Sequence, residues 1–313
     1  MTHELYQSML RIRMIEEEVA SRYSEWKMRC PTHLSIGQEA VAATIGMLLR
    51  KDDYMVSTHR SHAHYLGKGG NLNRMIAELY GKESGCSGGR GGSMHLIDES
   101  VGFKGSTAIV GNTIPIGVGL ALSVQLNGGD QVSCVYIGDG SIEEGVFYES
   151  VNFAAVRKLP VLFVCENNLY SVYSPLSVRQ PENRKIYEMV EALGIESHYG
   201  DGNNTEQIMD ISKDAIKRAR ETGRPQFLEF STYRWREHCG PNYDNDIGYR
   251  SEDEYELWKK KDPILRLMEK LGITESENIK VKEDIAKEIN EAFEFAENSA
   301  FPSKDSMYKN IYK

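Results

Sequence analysis

Two oxygen-bearing side chains, Asp139 and Asn168, stand just past the ends of two apolar runs, Val132 to Ile137 and Pro160 to Cys165. The first run closes in Gly138-Asp139-Gly140 and the second in Glu166-Asn167-Asn168-Leu169-Tyr170, with a helical stretch between them. That order reads as strand, turn, crossover helix and parallel strand. Ligands of α/β sheets bind beyond the carboxyl ends of such strands, so the oxygens of Asp139 and Asn168 can converge on one point. A carboxylate, an amide oxygen and a carbonyl of the following loop form a hard, oxygen-only set that suits Mg2+ shared with a phosphate. Gly138 and Gly140 let the backbone turn sharply and approach an anion, and a helix starting near Ser141 offers free N–H groups. The chemistry within reach of these residues is the holding of a metal-bound diphosphate.

Other elements must position those strand ends. Leu5, Met9, Ile12, Ile15, Val19 and Tyr23 recur at steps of three and four, which predicts an amphipathic helix. The polar stretch Thr32 to Ala40 opens a second helix that runs to about Leu49, and Asn73 to Tyr80 reads as a third. Ile114 to Val124 is a small-residue helix in which Gly117, Gly119 and Ala121 permit close packing. Leu193 to Gly202 with Thr205 to Arg220 reads as a further βα unit, followed by a strand over Gln226 to Ser231. Asp262-Pro263 opens a helix, and Ile285, Ile289, Phe293 and Ala296 share one face of a closing helix. The expected fold is α/β, a parallel sheet flanked by helices. Residues 1–50 are expected as N-terminal helices, 51–260 as the diphosphate-binding domain and 261–313 as a helical extension.

The bulk numbers narrow the function classes. A chain of 313 residues, 40% hydrophobic and 27% charged, is long enough to bury a large core. Its net charge of −9 argues against nucleic acid and anionic membranes as partners. Five scattered cysteines without a C-x-x-C pair fit neither a disulfide framework nor a zinc site, and they suit a reducing compartment. No apolar segment reaches the roughly 18 residues of a membrane span. The opening MTHELYQSML has neither an Arg-rich leader nor a secretory core, so a cytoplasmic protein is expected. His59, His62 and His64 suggest zinc by number, but no cysteine or carboxylate set joins them.

The G-D-G, followed about twenty-six residues on by N-N, resembles the thiamine diphosphate motif. Gly145, Glu149, Asn152-Phe153-Ala154-Ala155, Leu159-Pro160 and Glu166-Asn167-Asn168 resemble more narrowly the alpha subunit of the decarboxylating component of 2-oxoacid dehydrogenases. The His33-Leu34 to Ala40 segment, the glycine-rich loop Gly85 to His95, and Tyr233-Arg234 with His238 are similar to the same family. The resemblance implies a thiamine diphosphate-binding fold with Mg2+ held by Asp139, Asn168 and the carbonyl of Tyr170. It implies diphosphate contacts from Arg60, Gly138, Gly140, Ser141 and His238, a cofactor-side Arg234, and backbone of Ile109 and Val110 at the aminopyrimidine. His238 and His62 are its candidate catalytic residues. His59 stands where the family has a tyrosine, and Cys239 and Gly248 replace serines that are phosphorylated in several members.

The same resemblance implies the reaction and the assembly. A 2-oxoacid is decarboxylated and the acyl group passes to an acceptor, which in the dehydrogenase complexes is the lipoyl group of an acyltransferase component. Pyruvate, branched-chain and acetoin dehydrogenases belong to the group. No second domain is visible to carry the glutamate that activates the cofactor, so a beta subunit and a heterotetramer are expected. The altered Cys239 to Asp246 loop keeps open a carbon–carbon ligase with a non-lipoyl acceptor.

Overall fold

A computed structural model describes residues 2–309. The helices α1 (His3–Arg22) and α2 (Glu39–Leu48) precede strand β1 (Tyr54–Ser57). Then come α3 (His62–Gly67), α4 (Leu72–Leu79), β2 (Phe103–Ser106), α5 (Thr113–Leu126), β3 (Ser133–Gly138), α6 (Gly145–Arg157) and β4 (Val161–Asn167). A small hairpin, β5 (Tyr170–Ser171) and β6 (Ser174–Pro175), leads to α7 (Leu176–Arg179), α8 (Ile186–Ala192), β7 (Glu196–Asp201), α9 (Thr205–Thr222) and β8 (Gln226–Ser231). The chain closes with α10 (Glu252–Lys259), α11 (Pro263–Leu271) and α12 (Glu275–Asn298).

Six strands form one sheet in the order β2-β1-β3-β4-β8-β7, and every adjacent pair is parallel. Both faces of the sheet are covered, as parallel sheets require. Along β3, Cys134 and Tyr136 join the core beneath α1, α2, α3 and α9, while Val135 and Ile137 join the core beneath α5, α6 and α8. This is why the runs read as continuously apolar. The order reverses between β1 and β3: the chain leaves β1 toward β2 and leaves β3 toward β4. A crevice at the carboxyl ends follows from that reversal.

Helix packing supports the crevice. The buried stripe of α1 includes Leu5, Met9, Ile12, Ile15 and Val19, each a side chain whose burial is worth about 1.5–3 kcal/mol. Glu16 lies in the same stripe and is fully buried. Its carboxylate accepts from the Ser35 N–H at 2.6 Å and meets His62 Nδ1 at 2.6 Å. At Gly117 a Cβ would come 2.2 Å from Val135, so α5 can lie this close to the sheet only without a side chain there. Gly119 differs from expectation, because a Cβ at that position would meet nothing within 4 Å. The helix expected near Ser141 starts later: Asp139–Glu143 is a tight helical turn, and Glu144 at ψ 137 breaks it before α6. No helix of the described residues is long and apolar enough to cross a membrane.

Candidate functional site

The reversal point opens into a cavity of about 530 Å3, its mouth included. Its walls come from the segments that follow four strands: Thr58, His59 and Arg60 after β1, Gly138 to Ser141 after β3, Asn168 to Ser171 after β4, and His238 after β8. Gln38, Glu166 and Val110 complete it.

On one side the donors are oxygens. Asp139 is 2% exposed, and burial raises its carboxyl above the ordinary range while the Arg179 guanidinium, paired with it, pulls the other way. Asn168 gives its amide N–H to Gln38 Oε1 at 3.2 Å, which fixes the orientation of its oxygen. That oxygen accepts from the Tyr170 N–H at 3.2 Å. Leu169 at φ 72 and Val172 at φ 56 bracket Tyr170 in the left-handed region. Such backbone is costly for a β-branched residue, by roughly 1–3 kcal/mol, and is typical of ligand sites. Glu166 Oε1, buried, has no partner among the described residues.

On the other side the donors are nitrogens. Arg60 is 6% exposed, and its guanidinium donates to the carbonyls of Leu34 at 2.6 Å and His238 at 3.0 Å. Among the described residues no carboxylate pairs with it, so a buried cation faces the cavity. Burial and then Arg234 push its pKa down to about 9, which leaves it charged at neutral pH. Burial also lowers His238 to about 3, with Arg60 and His59 adding to the effect. His238 is therefore a neutral imidazole that can accept or donate a proton.

An unpaired guanidinium opposite an oxygen-only donor set is what a metal diphosphate needs: one part for the anion, one for the cation. The residues present fit that group. The sequence model for "Dehydrogenase E1 component" matches residues 7–304. The pyruvate dehydrogenase E1 component subunit alpha of Rickettsia bellii is 36% identical over 98% of this chain and 94% of its own length. The proteins of the same name from Rickettsia prowazekii and Zymomonas mobilis are each 35% identical over 98% of this chain, covering 94% and 87% of their own lengths.

The chain belongs to the dehydrogenase E1 component family. The resemblance to thiamine diphosphate-dependent 2-oxoacid dehydrogenase alpha subunits thus holds, and the ligase alternative is not favoured. Membership in the E1 family implies thiamine diphosphate.

The structure brings Arg60, Val110, Gly138, Asp139, Gly140, Ser141, Asn168, Tyr170 and His238 together around the cavity. Three expected residues lie outside its lining. His62 is fully buried with both ring nitrogens engaged, by Glu16 at 2.6 Å and by Ser93 Oγ at 2.8 Å. Arg234 is also buried and donates to the carbonyls of Val172 at 2.9 Å and Arg236 at 2.7 Å, so it holds the strained turn beyond Tyr170. The Ile109 side chain is 66% exposed.

Sequence reasoning missed Arg179, which pairs with Asp139 and with Glu143. It sits in the irregular chain after the hairpin, where no periodicity marks it. Gln38 had a signal, because it lies in the His33 to Ala40 segment whose resemblance was already evident.

Proposed function

We propose that this chain is the alpha subunit of a pyruvate-type 2-oxoacid dehydrogenase, that it acts with a beta subunit in a heterotetramer, and that Mg2+ accompanies its thiamine diphosphate. The observation that carries the site assignment is Arg60: a buried guanidinium without a carboxylate, facing Asp139 and Asn168 across one cavity. The names of the relatives support pyruvate as substrate. Exposed apolar side chains on α5 and α6, among them Ile116, Leu126, Tyr148, Phe153 and Val156, support a partner surface. The five free thiols fit a cytoplasmic setting.

In this reading Asp139, Asn168 and the Tyr170 carbonyl hold the metal, with Gln38 orienting Asn168. Arg60 neutralises the diphosphate, and the backbone of Gly140 and Ser141 approaches it. Val110 packs against the cofactor ring, and the backbone at Ile109 lies beside it. Bound there, thiamine diphosphate supplies the carbon nucleophile and the electron sink for decarboxylation. His238, neutral at working pH, holds or moves a proton at the substrate oxygen. His62 and Arg234 act as positioning residues, through Ser93 and through the Val172 turn.

The test is co-expression with a beta-type subunit and assay across a panel of 2-oxoacids, with ferricyanide or lipoamide as acceptor. Pyruvate turnover that needs both chains supports the reading. Preference for another acid would correct the substrate. Failure of the chain pair to bind thiamine diphosphate would overturn it.

A further inference from the structure

Three imidazoles from three distant segments face one another in the cavity: His33 before α2, His59 after β1 and His238 after β8. Their ring centroids are 4.6, 5.1 and 5.3 Å apart, and one nitrogen of each lies within 4.8 Å of the other two. His33 is 7% exposed, and its Nδ1 has no hydrogen-bond partner among the described residues. By contrast, both nitrogens of His64 are engaged, by Ser57 and Glu166, as both nitrogens of His62 are. The histidine run of the sequence therefore splits: His62 and His64 turn into the scaffold, and His59 joins two rings from elsewhere.

We propose that His33, His59 and His238 form a binding site for a borderline divalent transition-metal ion, Zn2+ or Co2+, separate from the oxygen-only set at Asp139 and Asn168. Imidazole nitrogens suit such ions, whereas Mg2+ prefers oxygen. Burial, helped by Arg60, lowers the three rings to about 2, 4 and 3, so a metal displaces no proton at neutral pH. Metal–nitrogen bonds of about 2.1 Å require the nitrogens to draw together by up to roughly 1.5 Å, within reach of small side-chain rotations. The cavity leaves a fourth position open for water or another oxygen donor.

One charge opposes the ion, since Arg60 lies beside all three rings. Glu16 and Glu166 offset it, being the carboxylates whose fields reach the same guanidinium. A hydroxide in the open position would offset it further. His59 is the residue that completes the set, because the family's tyrosine there would leave two imidazoles. An ion so held occupies a nitrogen of His238 and removes that ring from proton transfer.

The proposal does not rest on the thiamine diphosphate reading, and its test needs no cofactor. The full chain, with its beta-type subunit where the two co-purify, is stripped with chelator and titrated with Co2+ while visible d–d bands are recorded. The expected result is one Co2+ per chain with intense tetrahedral-type bands, displaced by Zn2+ and not by Mg2+. His59→Tyr and His33→Gln should each weaken Co2+ binding at least about tenfold, while Asp139→Asn should leave the bands in place. Melting curves confirm that each variant is folded, and two variants guard against the loss of one. No tetrahedral bands, bands unaffected by both histidine variants, or bands abolished in Asp139→Asn would overturn the proposal.

Discussion

The oxygen side of the cavity is drawn from residues 139 to 170, a single βαβ unit, whereas the imidazole side is drawn from residues 33, 59, 60 and 238. The first is placed by a sheet ladder in which Gly138 pairs with Glu166, so backbone geometry sets the spacing of Asp139 and Asn168. The second has no ladder. It is held by single contacts between loops: Gly240 N–H to the Thr32 carbonyl at 2.9 Å, Trp235 N–H to Ile36 at 2.9 Å, and Arg60 to Leu34 and His238. Beneath these contacts lies Asp244, 2% exposed, between the buried guanidiniums of Arg234 and Arg250. The difference teaches that the strand-end side tolerates loss of a neighbour, while the imidazole side depends on buried polar groups being satisfied.

The sharpest break on the oxygen side is Asp139→Ala. It should cut metal and diphosphate affinity by more than the roughly 10–100-fold that loss of a merely supporting partner costs, with little change in melting temperature. Isothermal titration checks it, and unchanged affinity would remove Asp139 from the metal shell. On the other side, Asp244→Ala leaves two buried guanidiniums without their carboxylate and should destabilise the fold by about 3–5 kcal/mol, read by urea denaturation. A loss below 1 kcal/mol would show that the loop contacts suffice without it.

The same side should carry the pH dependence. The three rings protonate near 6.5 when unfolded but only near 2 to 4 when folded. Between those limits the unfolded chain binds more protons. Their contribution is thus complete above pH 6.5 and is lost as the pH falls, by up to ~1.4 kcal/mol per pH unit for each ring. The raised carboxyls of Asp139 and Glu229 act with the opposite sign, only as the pH nears the carboxylate range. Equal stability at pH 7 and pH 5 would contradict the burial of these rings. The smallest effect concerns Arg179, which pairs with the Asp139 carboxylate and must yield to a metal. Arg179→Gln should raise Mn2+ affinity a few-fold, as expected for loss of a partly exposed ion pair. A fall would make Arg179 part of the metal site.

Legibility in the sequence followed the same divide. The oxygen side could be read because strand, turn, helix and strand are local, and their period and turn residues lie in one stretch. The sheet and its covering helices were legible for that reason too. Glu16 was readable in hindsight, as a carboxylate on the apolar stripe of α1, which implies a buried partner. The meeting of His33, His59 and His238 was not, because loops of different elements set it and no local spacing records it. Arg234 misled for a related reason: its place after β8 points toward the cavity, but the Val172 turn and Asp244 compete for its guanidinium and win.

The glycine-rich loop reads as slack, yet its Ser87, Gly89, Gly91 and Gly92 N–H groups all donate to the one carboxylate of Glu78, at 2.7 to 3.1 Å. The loop is a hoop drawn over a single peg. Because the peg grips main chain only, it is indifferent to the side chains of Ser87 and Arg90. The outward surface of the loop is therefore free to be rewritten for a different partner while its path through space stays the same.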